Sequence, residues 1–102
     1  MSIKKQYLKS KPICKVTFTL PKEAAPDAKD ASVVGEFNDW NIYATPMKKF
    51  KNGSFKVTLD LETGNEYQFR YLIDEEIWEN DWDADKYVRS DYGNCDNSVV
   101  VV

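Results

Sequence analysis

Between Ile13 and Leu20 the chain reads "ICKVTFTL", in which Cys14, Val16, Phe18 and Leu20 alternate with Lys15, Thr17 and Thr19. A period of two predicts a strand with one buried face. "PKEAAPDAKDA" carries two prolines among polar residues and reads as a loop. "SVVGEF" predicts a second strand, with Gly35 marking a bulge or a close approach of another segment. "NDWNIYATP" is a longer loop closed by Pro46. In "MKKFKNGSFKVTLDL" the pair Asn52-Gly53 predicts a tight hairpin turn with positive φ at both residues. Phe55, Val57, Leu59 and Leu61 then alternate with polar residues, and after "ETGNE" so do Tyr67, Phe69, Tyr71 and Ile73. "IWEN" begins a short return strand after "DEE". "DWDADKYVRSDYGNCDN" reads as a polar loop with a short pairing at Tyr87–Val88. "SVVVV" is continuously apolar and predicts a strand covered on both faces. One helical turn around Ile3, Tyr7 and Leu8 is expected near the start. About seven short strands with frequent turns predict an antiparallel β-sandwich.

The 102 residues fit one domain with a single core. We place an N-terminal extension at residues 1–12 and the domain at 13–102. The net charge of −3 argues against a nucleic-acid binder, which must neutralise phosphates. Charge is uneven: the first 29 residues hold seven lysines against two acids, and residues 74–96 hold nine acids against Lys86 and Arg89. Two solvated surfaces account for this pattern.

The chain has no histidine, which removes Ser-His-Asp and Cys-His catalysis and His-ligated metal sites. Cys14 and Cys95 are too few and too far apart in sequence for a disulfide scaffold or a zinc motif, so both thiols are expected free in a reducing cytoplasm. "MSIKKQYLKSKP" lacks the apolar region of a signal peptide, and no apolar run approaches membrane length. Asp81, Asp83 and Asp85 have the spacing that begins a calcium loop, but Lys86 and Tyr92 stand where that loop needs Gly and Glu. This stretch therefore reads as an exposed polar loop, and no metal or organic cofactor is implied. Carboxylates are plentiful, yet nothing selects a catalytic pair in so small a domain.

Aromatic residues make up 14% of the chain, including three tryptophans. Core packing is the ordinary use of Trp. Trp40, however, stands among Asn38, Asp39 and Asn41. A flat ring among amides and charges suits the apolar face of a sugar, with planar polar side chains taking the hydroxyls. From the residues alone Trp40 stays open between core and ligand.

"SVVGEFNDWN", "TPMKK", "GSFKVTLDLETGNEYQFRYLID", a later Trp and "YGNCDNSVVVV", in that order, resemble the glycogen-binding, isoamylase N-terminal family of carbohydrate-binding modules. The resemblance spans about residues 14–102. It implies an all-β, immunoglobulin-like (early-set) sandwich that binds α-1,4-glucans such as glycogen, starch or maltooligosaccharides without catalysis. Trp40 matches the family's first stacking Trp, in its F-N-x-W motif. Arg70 stands where glycogen-binding members carry a Lys that bonds sugar hydroxyls. Trp78 resembles the second stacking Trp. The turn before it, from Asp74 to Ile77, is one residue longer than in those members. A one-residue slip turns a side chain to the other sheet face unless the turn absorbs it. Asp96 and Asn97 fall at the family's paired-Asn segment, where only Asn97 keeps the amide. Asn94 falls where a Thr contributes in the AMP-activated kinase β subunit. Trp82 has no counterpart and is either a further platform or a local packing residue. Modules that precede branching and debranching enzymes often serve as structural companions to the barrel. The expected partners are thus α-glucan and a glucan-active enzyme, with no nucleic acid and no membrane.

Overall fold

The computed structural model describes residues 3–90 and 95–102. Nine strands are present among them: β1 (Ile3–Tyr7), β2 (Ile13–Leu20), β3 (Ala31–Gly35), β4 (Lys48–Lys49), β5 (Phe55–Glu62), β6 (Glu66–Ile73), β7 (Ile77–Glu79), β8 (Lys86–Arg89) and β9 (Asp96–Val101). They form two antiparallel sheets, one in the order β1-β2-β5-β4 and one in the order β3-β6-β9-β8, with β7 paired to β6. The architecture is an immunoglobulin-like β-sandwich.

The core lies between the sheets and follows the period of two. Val16, Phe18 and Leu20 of β2 and Phe55 and Leu61 of β5 meet Val33 of β3, Phe69, Tyr71 and Ile73 of β6 and Val100 of β9. Phe69 packs edge-on against both Phe18 and Tyr71. Residues of β6 on the opposite face, Gln68, Arg70 and Leu72, look away from this core. Leu72, with Val34 and Val99, is buried outside the core cluster, beneath the outer face of the second sheet.

Three local expectations differ from what is found. Residues 3–7 form a strand, with Ile3 opposite Phe18 and Tyr7 opposite Cys14, where a helical turn was expected. The free edge of β2 supplies backbone partners that no local periodicity announces. The turn at Asn52-Gly53 is wider than expected: Phe50 N–H bonds the Ser54 carbonyl at 2.8 Å, and Gly53 N–H the Phe50 carbonyl at 2.9 Å. Only Gly53 takes positive φ, at 88°. Asn52 instead accepts from Ser54 N–H and Oγ through its side chain. Finally, Asp81, read as part of an exposed loop, is 2% exposed. Its Oδ2 accepts from Tyr71 Oη at 2.6 Å, and its Oδ1 from Asp83 N–H at 2.8 Å. Burial, and then the charge of Asp81 and the bond to it, push the Tyr71 hydroxyl well above the usual tyrosine range.

The two sheets are also tied at one side. Asp85 Oδ2 accepts from Lys5 Nζ of β1 and from Val101 N–H of β9, both at 2.7 Å. Among the described residues no helix is long and apolar enough to cross a membrane.

Candidate functional site

A solvent-open cavity of about 460 Å³ lies on the outer face of the second sheet. Its floor comes from alternate residues of β6 and β9, and its walls from flanking loops and β7. Arg70 stands almost opposite Asn97 across the β6–β9 pair, just beyond the Phe69–Ser98 register. Arg70 Nε donates to Asn97 Oδ1 at 2.6 Å, and Arg70 Nη2 to Ser90 Oγ at 3.4 Å. Asn97 Nδ2 donates to Gln68 Oε1 at 3.0 Å. A row of planar polar groups thus crosses the floor, each oriented by the next. Among the described residues Arg70 has no carboxylate partner within ion-pair distance.

Trp78 lines the cavity from β7, opposite Leu72, and so shares the outer face with Arg70. The guanidinium carbon of Arg70 sits 5.6 Å from the centre of its ring, in cation–π range. The longer turn does not flip Trp78. Asp74 and Glu75 both take left-handed φ, at 52° and 59°, and Glu76 N–H bonds the Ile73 carbonyl at 3.0 Å. The connection closes with Ile73 opposite Ile77, so the extra residue is absorbed before the strand begins. Asp74 Oδ1 also accepts from the backbone N–H of Asp30 and Lys29, at 3.0 and 2.8 Å. Those bonds hold the Asp74 carboxyl below the usual aspartate range.

Trp40 enters from the other side. Its four-residue motif divides its labour. Phe37 packs inward against Phe18, Tyr67 and Phe69. Asn38 clasps the loop: its Oδ1 accepts from Gly35 N–H at 3.1 Å, and its Nδ2 donates to the Val33 carbonyl at 3.1 Å and Thr45 Oγ1 at 2.9 Å. Asp39 and Trp40 then turn the chain through left-handed φ of 56° and 58°, and Trp40 N–H returns to the Gly35 carbonyl at 2.9 Å. Non-glycine residues in this region cost about 1–3 kcal/mol each and gather at functional sites. The indole ends 39% exposed, lining the cavity rather than the core. The strand beneath must come close for this: a Cβ on Gly35 would lie 2.5 Å from the Gln68 carbonyl oxygen.

The structure therefore brings Trp40, Trp78, Arg70 and Asn97 around one cavity. Asp96 is exposed and does not line it, because successive residues of β9 point to opposite faces. Asn94 lies outside the described residues. Trp82 is 55% exposed and is not part of the lining. Glu36, Ile42, Gln68, Ser90 and Cys95 also line the cavity and were not selected from the sequence. Gln68 was legible in principle, since it sits two residues before Arg70 on the same strand face. Cys14 is in the sandwich core, so the two thiols occupy different regions.

Fold and cavity together define a small β-sandwich module with an aromatic, polar-floored recognition surface. A family described as Carbohydrate-binding module 48 (Isoamylase N-terminal domain) matches residues 15–90, and the chain belongs to that family. It is similar to the 1,4-alpha-glucan-branching enzymes of Rhizophagus irregularis and Aspergillus oryzae, each 44% identical over 43 residues, or 42% of this chain and 6% of the relative. The 1,4-alpha-glucan branching enzyme of Photobacterium profundum is 41% identical over 46 residues, 44% of this chain and 6% of that protein. The matched region is thus a small part of each of these curated relatives.

Proposed function

We propose that this chain is a non-catalytic module that binds α-1,4-glucan, the polymer of glycogen and starch, with residues 13–102 as the binding unit. One observation carries the reading: Trp40 and Trp78, from distant segments, flank a single polar floor built by Arg70 and Asn97. In this reading Trp40 stacks on a glucose ring, Trp78 flanks the next, and Arg70 and Asn97 bond hydroxyls. Asn94 is proposed as a further contact, and Asp96 only as a neighbour of Asn97. One or two stacked rings and a few exposed hydrogen bonds correspond to about 4–7 kcal/mol, or millimolar to tens of micromolar affinity. No metal or organic cofactor enters the mechanism, and the free thiols suit a cytoplasmic setting.

The test is electrophoresis through gels containing glycogen or amylopectin. The wild type should be retarded, and Trp40→Ala should run freely while keeping its melting temperature within a few degrees. Absence of retardation at every glucan concentration would overturn the reading.

A second reading is favoured by the branching-enzyme relatives: the module docks on a glucan-active enzyme as a structural companion. Co-sedimentation with such an enzyme that survives Trp40→Ala would mark a docking surface apart from the cavity.

A further inference from the structure

Glu36 begins the short 3-10 turn that follows β3 and lines the same cavity as the two tryptophans. Its Oε1 accepts from Gln68 N–H at 2.6 Å, which takes the next backbone donor on β6 after the β3 pairing ends at Gly35–Phe69. The carboxylate is thereby fixed at the rim. From there the floor continues as a line of donors and acceptors. Asn97 donates to Gln68 Oε1, Arg70 donates to Asn97 Oδ1, and Arg70 donates to Ser90 Oγ. Each link engages one lone pair of a neutral side-chain oxygen of the floor with a protein donor. What Gln68 and Arg70 chiefly offer are N–H groups: Gln68 keeps an amide NH₂ without a protein partner among the described residues, and a guanidinium has no acceptor at all. A floor of this kind meets hydroxyl oxygens with strong donors and meets hydroxyl protons only with neutral oxygens already engaged once. Glu36 is the strongest acceptor at the cavity, because an ionised carboxylate only accepts, accepts more strongly than a neutral amide or hydroxyl oxygen, and has lone pairs beyond the one given to Gln68. Among the described lining residues Glu36 and Arg70 are the only charged groups, and their charges are opposite. The cavity suits a neutral, hydroxyl-rich ligand.

We propose that Glu36 is a specificity-determining ligand residue: its carboxylate accepts the proton of one sugar hydroxyl while Gln68 and Arg70 donate to the oxygens of others. The proposal rests on the glucan reading and adds to it the group that supplies hydroxyl-proton recognition. A site built to pair a hydroxyl discriminates strongly against the analogue that lacks it.

The test compares wild type with Glu36→Gln, which keeps a carbonyl for Gln68 N–H and should melt as the wild type does. Both are titrated by NMR with methyl maltoside and with a set of its monodeoxy derivatives. Glu36→Gln should bind the parent maltoside about fivefold more weakly, since a charged acceptor outdoes a neutral one. For the one derivative that lacks the partner hydroxyl, the two proteins should bind equally, closing a protein–ligand cycle. Equal affinity of both proteins for the parent maltoside overturns the role of Glu36 and leaves the glucan reading standing. A loss that persists with every derivative also overturns it, because it marks a structural effect. A wild type that binds neither maltoside nor glycogen overturns both.

Discussion

Single side chains in this protein divide between holding and presenting. In "EFNDW", Phe37 holds the loop to the core, Asn38 clasps its two ends, and Trp40 is presented to solvent. The composition of the segment made Trp40 ambiguous, because an indole is at home in a core. In the folded chain Phe37 takes the core position and Trp40 lines the cavity instead. Gly35 is the silent member of the set. It has extended φ, so its need is for space and not for conformational freedom. Gly35→Ala should place a methyl against the Gln68 carbonyl and Phe69 Cβ, both closer than 3 Å, and push β3 off β6. Overpacking of this kind costs about 1–3 kcal/mol. Urea unfolding should show the loss, and glucan binding should weaken with it, because Trp40 hangs from the same backbone.

Strands and turns carry the site by register. Period-two alternation in β6 sends Phe69 and Tyr71 to the core and Gln68 and Arg70 to the cavity, and this much was readable from the residues. The placement of Trp78 was not. It depends on how the Asp74-Glu75-Glu76 connection accommodates its length, and two consecutive left-handed residues are a solution the amino-acid types do not advertise. Asp74 stabilises that turn by accepting from Asp30 and Lys29 N–H. Its carboxyl titrates lower in the folded protein than in the unfolded chain, so its contribution is present at neutral pH and is lost as pH falls through the folded value, below the usual aspartate range. Asp74→Asn should therefore lower the melting temperature at neutral pH, with the gap narrowing steadily as the pH falls below the usual aspartate range. A gap that stays constant with pH would remove the carboxylate from this role.

The molecule as a whole is two sheets whose edges need closing. β1 is an edge strand, and Asp85 fastens it by accepting from Lys5 on one sheet and Val101 on the other. Asp85→Ala should cost only about 1 kcal/mol, because the Lys5 pair is partly solvated. The effect should be local: amide exchange of residues 3–7 should accelerate well before that of β2 or β6. Uniform acceleration would place Asp85 in the global core instead. Two expectations drawn at this level met opposite outcomes. The all-β sandwich was legible, since strand patterns and turns recur along nearly the whole chain. The pairing of residues 3–7 was not, since Ile3 alone anchors a mostly polar segment and its partner β2 lies across a connection that gives no turn signal.

What "VVGEFNDWN" and its companion segments settled in advance was the class of fold and the identity of the residues worth watching. Alternation encodes which face of a strand is buried, and it is local, so a linear reading recovers it. Whether Trp40, Trp78, Arg70 and Asn97 meet depends on distances between segments up to 57 positions apart, from Trp40 to Asn97. Those distances are set by register across β3, β6, β7 and β9, by a turn that absorbs a residue, and by a glycine that lets two strands close. Glu36 belongs to the same category. Nothing in its neighbours distinguishes it from other surface acids, and only the folded sheet puts its carboxylate on Gln68 N–H at the rim of the cavity.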